Sequence, residues 1–347
     1  MSVKIAFYDS KPYDEKSFNS RNKYGFDFTF FKTRLNEKTA KLAEGFEIIC
    51  AFVNDHINKE TADILYNCGV KLIVLRSAGY NNVDLKAVYG RIHVMRVPAY
   101  SPNAIAEHAA ALILSLNRKI HRAYYRTRDN NFSIDGFLGF DLNGKTAGVI
   151  GAGKIGRILI KILHGFGMKV LIYDGHNDPD FAEKYGAEYV DLEKLYSNSD
   201  IISLHCPLTP ETEHMINAES IAKMQDGVMI INTSRGGLID TQALVEALKD
   251  GKVGSAGLDV YEEEGDYFFE DFSSSTVGDD LLARLLTLNN VLVTSHQAFF
   301  TKEALQNITD TTLSNVKQWI DGNSLDNEIC YHCEKENCPK KANGRCW

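Results

Sequence analysis

The sequence has 347 residues, of which 44% are hydrophobic and 24% charged, a balance typical of a soluble globular protein with room for two domains. The formal net charge of −8 argues against a nucleic-acid partner but does not exclude an anionic small substrate. No apolar run reaches the ~18 residues that a membrane span needs, and the N-terminus lacks the apolar core of a signal peptide. We therefore expect a cytoplasmic protein without a membrane partner.

The first 101 residues alternate between strand-like and helix-like segments. Apolar runs predict five strands, and the spacing within residues 59–68 predicts a helix between the third and the fourth. Such alternation predicts a parallel sheet with helices on its faces. Residues 76–84, a polar segment with a glycine, follow the fourth predicted strand, at the edge where open α/β sheets bind ligands. The predicted strands are residues 3–8, 27–31, 46–53, 71–75 and 94–97.

A second α/β domain is predicted to begin at residue 102. Ser101 and Pro102 are a suitable N-cap and first residue for the long apolar helix that follows them. This domain is predicted over residues 102–297, with a return to the first domain in residues 298–330 and a cysteine-rich tail in residues 331–347. Its predicted strands are residues 147–150, 169–173, 189–190, 201–206, 227–233, 254–260 and 291–294.

A glycine fingerprint follows the first strand of the second domain. Gly151, Gly153 and Gly156 have G-x-G-x-x-G spacing between a predicted strand and a predicted helix. Such glycines make a tight turn, let the backbone approach a pyrophosphate and let helix and strand pack closely, while the helix N-terminus attracts phosphate. Asp174 closes the next strand, where an acid binds the ribose hydroxyls and repels a 2′-phosphate. The sequence therefore predicts a dinucleotide site that prefers NAD to NADP.

Three polar segments follow later strands of the same domain. They contain Arg235, the glutamates of residues 262–264 and His296. Because the carboxyl ends of parallel strands meet at one edge of a sheet, we expect these side chains to lie together near the cofactor. Each of them alone is more often a surface or packing residue, but their joint occurrence at one sheet edge favours a site.

These side chains suit the interconversion of a carbonyl and an alcohol. A histidine can protonate the carbonyl oxygen as negative charge grows on it, and can remove the proton in reverse. A neighbouring carboxylate fixes the tautomer of the histidine, and an arginine grips a substrate carboxylate by paired hydrogen bonds. This chemistry does not choose among Glu262, Glu263 and Glu264.

Several longer motifs carry a resemblance to a known family. Over residues 1–328, the sequence resembles the D-specific 2-hydroxyacid dehydrogenases, and among them most closely the bacterial fermentative D-lactate dehydrogenases. The resemblance implies a Rossmann NAD-binding domain inserted into a flavodoxin-like substrate domain, a homodimer or homotetramer, and reversible, NADH-dependent reduction of pyruvate to D-lactate. The motifs are residues 98–108, 117–124, 151–156, 204–210, 232–236, 258–264, 268–271 and 295–299.

The resemblance also implies roles for individual residues. His296 is the general acid/base, Glu264 is its partner, and Arg235 binds and orients the substrate. The implied substrate contacts are Phe52, Ser77, Ala78, Gly79, Tyr100 and Phe299. The implied NAD contacts are Gly151, Gly153, Lys154, Ile155, Gly156, Asp174, His205, Cys206, Pro207, Thr233 and Asp259.

Two other functions stay open at this point. The aromatic rings of Phe52, Tyr100 and Phe299 suit the methyl group of pyruvate, but relatives that act on larger 2-oxo acids, such as 2-oxoisocaproate or phenylpyruvate, also use aromatic walls. Methylene-scale differences in a pocket discriminate by only ~1–3 kcal/mol. NAD-sensing proteins of the corepressor type share the fold and even the catalytic residues, although the acidic, compact chain favours an enzyme.

Four of the seven cysteines stand close together near the C-terminus, in the pattern C-x2-C-x4-C-x7-C. Four thiolates could bind zinc, but the spacing fits no standard zinc finger, and it fits an iron–sulfur site less well. A tail of reduced thiols is the alternative, and no metal is expected at the active site. The four residues are Cys330, Cys333, Cys338 and Cys346. The other cysteines, predicted to be buried and reduced, are Cys50, Cys68 and Cys206.

Overall fold

The structure, a computed structural model, describes residues 2–333 and 338–347, with the backbone alone for Asp266 and Ala342. The chain divides into two compact units, one of Met1–Ser101 with Thr301–Trp347 and the other of Pro102–Phe300. This division places the return to the first unit a few residues after the predicted boundary at 297. It also groups the cysteine-rich tail with the first unit.

Each unit contains one parallel sheet. The strands in chain order are β1 (Lys4–Phe7), β2 (Asp27–Phe30), β3 (Ile48–Ala51), β4 (Leu72–Leu75), β5 (His93–Met95), β6 (Thr146–Ile150), β7 (Lys169–Tyr173), β8 (Ala187–Tyr189), β9 (Ile201–Leu204), β10 (Val228–Asn232), β11 (Val253–Leu258) and β12 (Val291–Val293).

Helices connect most of these strands. They are α1 (Pro12–Arg21), α2 (Lys59–Asn67), α3 (Leu85–Val88), α4 (Pro102–Arg118), α5 (Ile120–Arg128), α6 (Lys154–Gly165), α7 (Pro179–Lys184), α8 (Leu192–Asn198), α9 (Ala218–Ala222), α10 (Thr241–Asp250), α11 (Glu264–Tyr267), α12 (Asp280–Thr287), α13 (Lys302–Ile320) and α14 (Lys340–Asn343). Two 3-10 turns cover Ala40–Ala43 and Gly236–Leu238. Among the described residues, no helix is long and apolar enough to cross a membrane.

The sheet of the first unit has the strand order β2-β1-β3-β4-β5. Every residue of β3 and β4 is buried, because both strands are apolar throughout and lie in the interior of the sheet. The edge strand β2 instead alternates between exposed and half-buried residues. This order is that of flavodoxin-like sheets, as the resemblance implied.

The sheet of the second unit has the order β12-β11-β10-β9-β6-β7-β8. The connections run one way from β6 to β8 and the other way from β9 to β12, so the strand order reverses between β6 and β9. Doubly wound sheets bind dinucleotides at such a reversal. The predicted fold class, two α/β domains with parallel sheets and a Rossmann fold in the second, is confirmed.

The register of the second sheet decides which segments meet at its carboxyl edge. Asn232 of β10 pairs with Leu258 of β11, which pairs in turn with Val293 of β12. Likewise, Ile150 of β6 pairs with Tyr173 and Leu204 of the strands on either side. The segments that follow these strands therefore leave the sheet at the same edge.

Candidate active site

The glycine fingerprint forms the turn between β6 and α6. Gly151 has φ +97°, and a Cβ atom there would lie 2.6 Å from the carbonyl carbon and oxygen of His205. A Cβ atom on Gly156 would lie 2.0 Å from the carbonyl oxygen of Gly151. At Gly153, by contrast, a Cβ would meet no described atom within 4 Å. The turn therefore requires glycine at its first and third positions for packing, and its second position is open.

Asp174 follows β7 and lies against this turn. Its Oδ2 accepts a hydrogen bond of 2.6 Å from the backbone N–H of Ala152, and its Oδ1 accepts one of 2.8 Å from His176. These contacts fix the carboxylate beside the glycine turn. Lys154 and Ile155 are the first residues of α6 and therefore directly follow the glycine turn.

The segment after β9 contains His205 and Cys206. Nε2 of His205 lies 2.8 Å from the hydroxyl of Ser203. Burial lowers the pKa of His205 to about 4, so that the ring is neutral, and raises the pKa of Cys206 to about 11, so that the thiol stays protonated. The Cys206 thiol packs 3.7 Å from the sulfur of Met215, and the next residue, Pro207, accepts a hydrogen bond from Thr212.

Arg235 lies in a tightly held loop after β10. The side chain of Asn232 accepts from the backbone N–H of Ser234 at 3.0 Å and donates to the carbonyl of Arg235 at 2.8 Å. A Cβ atom on Gly236 would lie 2.1 Å from the carbonyl carbon of Tyr261, in the segment that follows β11. The half-buried guanidinium of Arg235 donates to the carbonyl of Ser234 at 2.7 Å. The loop is thus packed closely against the segment that contains the three glutamates.

Glu264 and His296 are in direct contact. Nδ1 of His296 lies 2.8 Å from Oε1 of Glu264, and Oε2 of the same carboxylate accepts from the backbone N–H of Tyr261 at 3.0 Å. Both side chains are partly exposed, at 21% and 23%. A carboxylate at Nδ1 leaves Nε2 of the ring for chemistry.

The structure distinguishes the three neighbouring glutamates. The carboxylate of Glu262 lies 2.6 Å from Nε2 of His214 and accepts a hydrogen bond from the backbone N–H of Thr241, at the start of α10. Glu263 is exposed at the beginning of α11. Glu264 is therefore the glutamate that contacts His296, the choice that the resemblance had implied.

Asp259 has a structural role that the sequence reasoning missed. Its buried carboxylate accepts hydrogen bonds from the hydroxyl of Thr294 and from the backbone N–H groups of Gln297 at 2.9 Å and Ala298 at 2.8 Å. His108 of α4 supports this arrangement, since its Nε2 lies 3.0 Å from the Thr294 hydroxyl. The sequence signal was an acid directly after an apolar strand. Asp259 holds the turn that carries His296, and its contact with the cofactor stays a prediction.

The predicted substrate residues of the first unit follow neighbouring strands. Phe52 follows β3, the segment of Ser77, Ala78 and Gly79 follows β4, and Tyr100 comes after β5. The Ser77 hydroxyl donates to the carbonyl of Gly79 at 2.8 Å, and the carbonyl of Ala78 accepts from Arg96 at 2.8 Å. These segments therefore all leave the first sheet at the same edge. In the second unit, the buried ring of Phe299 packs 5.9 Å from that of Phe300.

Arg76 is a further residue that the sequence reasoning did not single out. It is buried, and its guanidinium stacks between the rings of Phe7 and Phe52, 4.4 and 4.7 Å from their centroids. It also donates to the carbonyl of Asp9 at 2.7 Å. The only sequence signal was an arginine directly after the apolar strand β4. Its contacts hold Phe52 and the start of the segment that contains Ser77.

Comparison with known proteins places this geometry in a family. Residues 110–298 match the model of the NAD-binding domain of D-isomer specific 2-hydroxyacid dehydrogenases. The chain belongs to this family. It is 52% identical to D-lactate dehydrogenase of Escherichia coli K12, over 94% of this chain and 100% of that protein. It is 53% identical to a 2-hydroxyacid dehydrogenase homolog of Haemophilus influenzae, over 94% of this chain and 99% of that protein.

Solved structures agree with this assignment. The apo structure of Escherichia coli D-lactate dehydrogenase has a TM-score of 0.87 and 50% identity, with 94% of this chain and all of that chain covered. D-2-hydroxyisocaproate dehydrogenase has a TM-score of 0.80 at 32% identity, covering 94% of this chain and 99% of that chain. The chain is thus an NAD-dependent oxidoreductase of the D-2-hydroxyacid dehydrogenase family.

The residues at the edge of the second sheet fit NAD. Two polar atoms there, Nδ1 of His205 and the hydroxyl of Thr233, are buried and have no hydrogen-bond partner among the described residues. Buried polar groups in folded proteins are almost always paired, so both atoms are suited to meet a ligand. The open position at Gly153 and the carboxylate of Asp174 complete a surface suited to a pyrophosphate and a ribose.

Proposed function

We propose that this member of the family reduces pyruvate to D-lactate with NADH, and catalyses the reverse reaction. The observation that carries the proposal is the 2.8 Å contact between Nδ1 of His296 and Glu264, at the carboxyl edge of the NAD-binding sheet. The proposal is also supported by a relative, D-lactate dehydrogenase of Escherichia coli, which is 52% identical to the chain. The resemblance of the substrate motifs points to the same reaction.

The proposed mechanism assigns the proton to His296. Glu264 accepts a hydrogen bond from Nδ1–H, and the proton that is transferred to or from the substrate is therefore held at Nε2. In the reductive direction Nε2 donates this proton to the carbonyl oxygen of the substrate, and in the oxidative direction the neutral Nε2 accepts it from the hydroxyl. When bound, the nicotinamide supplies or takes up the hydride at the second carbon of the substrate.

Arg235 is proposed to bind and orient the substrate. Its planar guanidinium can pair with a carboxylate through two hydrogen bonds and can polarise the neighbouring carbonyl. The backbone of Ser77, Ala78 and Gly79 is proposed to hold the substrate carboxylate. The loop contacts of Asn232 keep the backbone of Arg235 in one position, so little backbone freedom is lost when substrate binds.

The side chain of the substrate is proposed to be small. Phe52, Tyr100 and Phe299 are the aromatic residues assigned to its surroundings, and Phe52 is fixed by the stacked guanidinium of Arg76. We propose that these bulky rings, with Phe52 held in place, favour the methyl group of pyruvate over the longer side chains of other 2-oxo acids.

The deciding experiment is an initial-rate assay with NADH and a series of 2-oxo acids. We expect a higher kcat/KM for pyruvate than for 2-oxoisocaproate or phenylpyruvate, and D-lactate as the product in an enantiomer-specific assay. A higher kcat/KM for a larger acid would assign the enzyme to that substrate. Binding of NADH without turnover of any of the three acids would point instead to a NAD-sensing protein.

We also propose that the enzyme is a homo-oligomer that acts in the cytoplasm. Several large apolar side chains on α5 and in the segment after it are exposed, among them Ile134 at 83% and Leu138 at 89%. Large exposed apolar side chains grouped in one stretch of chain, residues 120–138, are typical of a protein interface. The seven cysteines, none of them in a disulfide, suit a reducing compartment. Sedimentation of the wild-type protein and of Ile134→Asp tests the interface, since the variant is expected to sediment as a smaller species.

A further inference from the structure

The four cysteines of the C-terminal segment bring their sulfur atoms to one point. All four Sγ atoms lie within 4.8 Å of one another. Cys333 is central, with Sγ distances of 3.7 Å to Cys330, 3.9 Å to Cys346 and 4.0 Å to Cys338. Residues 334–337, which join Cys333 to Cys338 in the sequence, lie outside the described residues. The cluster thus combines a short turn with two cysteines that come later in the chain.

The three distances from Sγ of Cys333 are close to the edges of a zinc–thiolate tetrahedron. With Zn–S bonds of about 2.3 Å, the edge between two sulfurs of a regular tetrahedron is about 3.8 Å. The thiolates of an iron–sulfur cluster are held further apart, because they bind different iron atoms around the cluster. Four sulfurs and no other ligand are also the donor set that selects a soft, tetrahedral metal ion.

The environment of the sulfurs is that of a closed site. Cys330, Cys338 and Cys346 are buried, and Cys333 is half-buried. The backbone N–H of Cys330 lies 3.1 Å from Sγ of Cys333, a contact that stabilises a thiolate. With four protein ligands and no open position, such a site has a structural and not a catalytic role.

The segment that contains these cysteines lies on the edge strand β5 of the first sheet. Ile329 donates its backbone N–H to the carbonyl of Val94 at 2.8 Å, and Arg96 donates to the carbonyl of Asn327 at 3.1 Å. Glu328, between these two residues of the segment, forms an antiparallel bridge with Met95. The start of the segment therefore extends the sheet and covers its edge.

The C-terminal end of the segment also contacts strand β5. The backbone N–H of Cys346 donates to the carboxylate of Glu328 at 2.6 Å, and that carboxylate also contacts Nδ1 of His93 in β5. The indole ring of Trp347 stacks on the ring of His93 with 4.1 Å between the centroids and 2° between the planes. The last two residues are thus fixed to the strand that the first part of the segment covers.

We propose that Cys330, Cys333, Cys338 and Cys346 bind one Zn²⁺ ion, which closes the C-terminal segment into a loop over strand β5. On binding, the zinc ion releases its water ligands, the four thiols lose their protons to solvent, and four Zn–S bonds form. No oxidation or reduction takes place. The reaction site proposed above uses none of these residues. The zinc site can therefore be tested independently of the proposed enzymatic activity.

Metal analysis of the whole enzyme tests this proposal. The protein is reduced, incubated with zinc sulfate, desalted without chelator and analysed for zinc and iron. We expect about one zinc per chain, because the four cysteines together form one tetrahedral site. We expect almost no iron. Cys333→Ser is expected to lose most of this zinc, while the matched control Cys68→Ser, outside the cluster, keeps it. Zinc below about a tenth of an equivalent in the wild type, iron in its place, or full zinc in Cys333→Ser would overturn the proposal.

Two measurements on the wild-type protein do not depend on the folding of a variant. An organomercurial that modifies thiols is expected to release the zinc in step with the modification, and release without thiol modification would contradict thiolate ligands. Removal of zinc is expected to speed amide exchange in peptides that cover residues 93–97 and 325–330, at least several-fold, because the loop over β5 opens. Unchanged exchange in both peptides would contradict the role of the metal in holding this segment.

Discussion

The backbone N–H of His296 donates a hydrogen bond of 2.7 Å to the carbonyl oxygen of Asp259. His296 has φ +50°, a left-handed conformation that is uncommon for residues other than glycine. The carboxylate of the same aspartate accepts the N–H groups of the two residues that follow His296. Asp259 therefore maintains an otherwise unfavourable backbone conformation, and this conformation presents the imidazole to Glu264.

Asp259→Asn should impair catalysis through the position of His296. The amide can accept one of the two backbone N–H groups, but its NH₂ group would face the other donor. We expect kcat for pyruvate to fall about 10–100-fold and the free energy of unfolding to fall by about 1–3 kcal/mol, the cost of an unpaired buried donor. Steady-state kinetics and urea unfolding measure both. A raised KM for NADH at unchanged kcat would instead indicate direct contact with the cofactor.

His296→Gln should remove the proton transfer but not the binding of NADH. General acid–base catalysis contributes typically 10²–10⁴-fold, so we expect kcat to fall by about this factor. The dissociation constant of NADH, measured by fluorescence titration, should change less than about threefold, because NADH is expected to bind through other residues. Turnover close to that of the wild type would exclude His296 from the mechanism.

Glu264→Gln and Glu262→Gln form a matched pair with different expected effects. Loss of the charge at Glu264 should lower kcat by about tenfold or more, because Nδ1 of His296 loses its ionic partner. Loss of the charge at Glu262 should lower stability, since this carboxylate joins His214 to the start of α10. Kinetics and thermal unfolding of both variants separate the two roles. Equal losses of turnover would contradict the distinction between them.

Arg235→Lys should impair the use of substrate more than the binding of cofactor. Lysine keeps the charge but cannot supply the planar pair of N–H groups that matches a carboxylate. We expect kcat/KM for pyruvate to fall roughly 10–100-fold, since a hydrogen bond to a charged group contributes about 1.5–3 kcal/mol. The KM for NADH serves as the internal control and should stay nearly constant. An unchanged kcat/KM for pyruvate would contradict the proposed grip on the substrate carboxylate.

Asp174→Ala should weaken the preference for NADH over NADPH. Asp174 is proposed to repel a 2′-phosphate and to accept from the ribose hydroxyls. Because the variant removes both effects, we expect the ratio of the kcat/KM values for NADH and NADPH to narrow by about tenfold or more. Asp178→Asn removes a nearby negative charge that pairs with Arg157, and should leave the ratio unchanged. The same narrowing in both variants would show a general charge effect and not ribose recognition.

The neutral state of His205 predicts a pH dependence of stability. Burial lowers its pKa to about 4 in the folded protein, whereas in the unfolded chain it returns to the ordinary value near 6.5. Between these values the unfolded state binds more protons, so stability is lost as the pH falls from about 6.5 to about 4. We expect a loss of up to about 1.4 kcal/mol per pH unit from this group. Urea unfolding of the cofactor-free protein at several pH values measures this loss. The free energy of unfolding should depend less steeply on pH in His205→Gln. The control variant His56→Gln, at an exposed histidine, should keep the pH dependence of the wild type.

Much of the local structure at the candidate cofactor site could be predicted from the sequence because its signals are local. The spacing of the glycines at 151, 153 and 156 specifies a turn and a helix start within one segment. The two glycines that would clash with neighbouring backbone confirm why that spacing is needed. Asp174 could likewise be placed from its position at the end of the next strand. Apolar runs that end in polar residues identified the later strands and the edge at which they meet.

Relations between distant segments could only be decided by the tertiary structure. Three adjacent glutamates have the same chemistry, and the path of the chain after β11 determines that Glu264 and not Glu262 contacts His296. The buried network of Asp259 and the stacked position of Arg76 depend on the pairing of strands far apart in the sequence. The four cysteines could be counted in the sequence, but their convergence requires the turn at Cys330 and the return of Cys346 to strand β5. Periodicity and spacing act over a few residues, whereas the contacts that position a side chain come from whichever segments the folded sheets bring beside it.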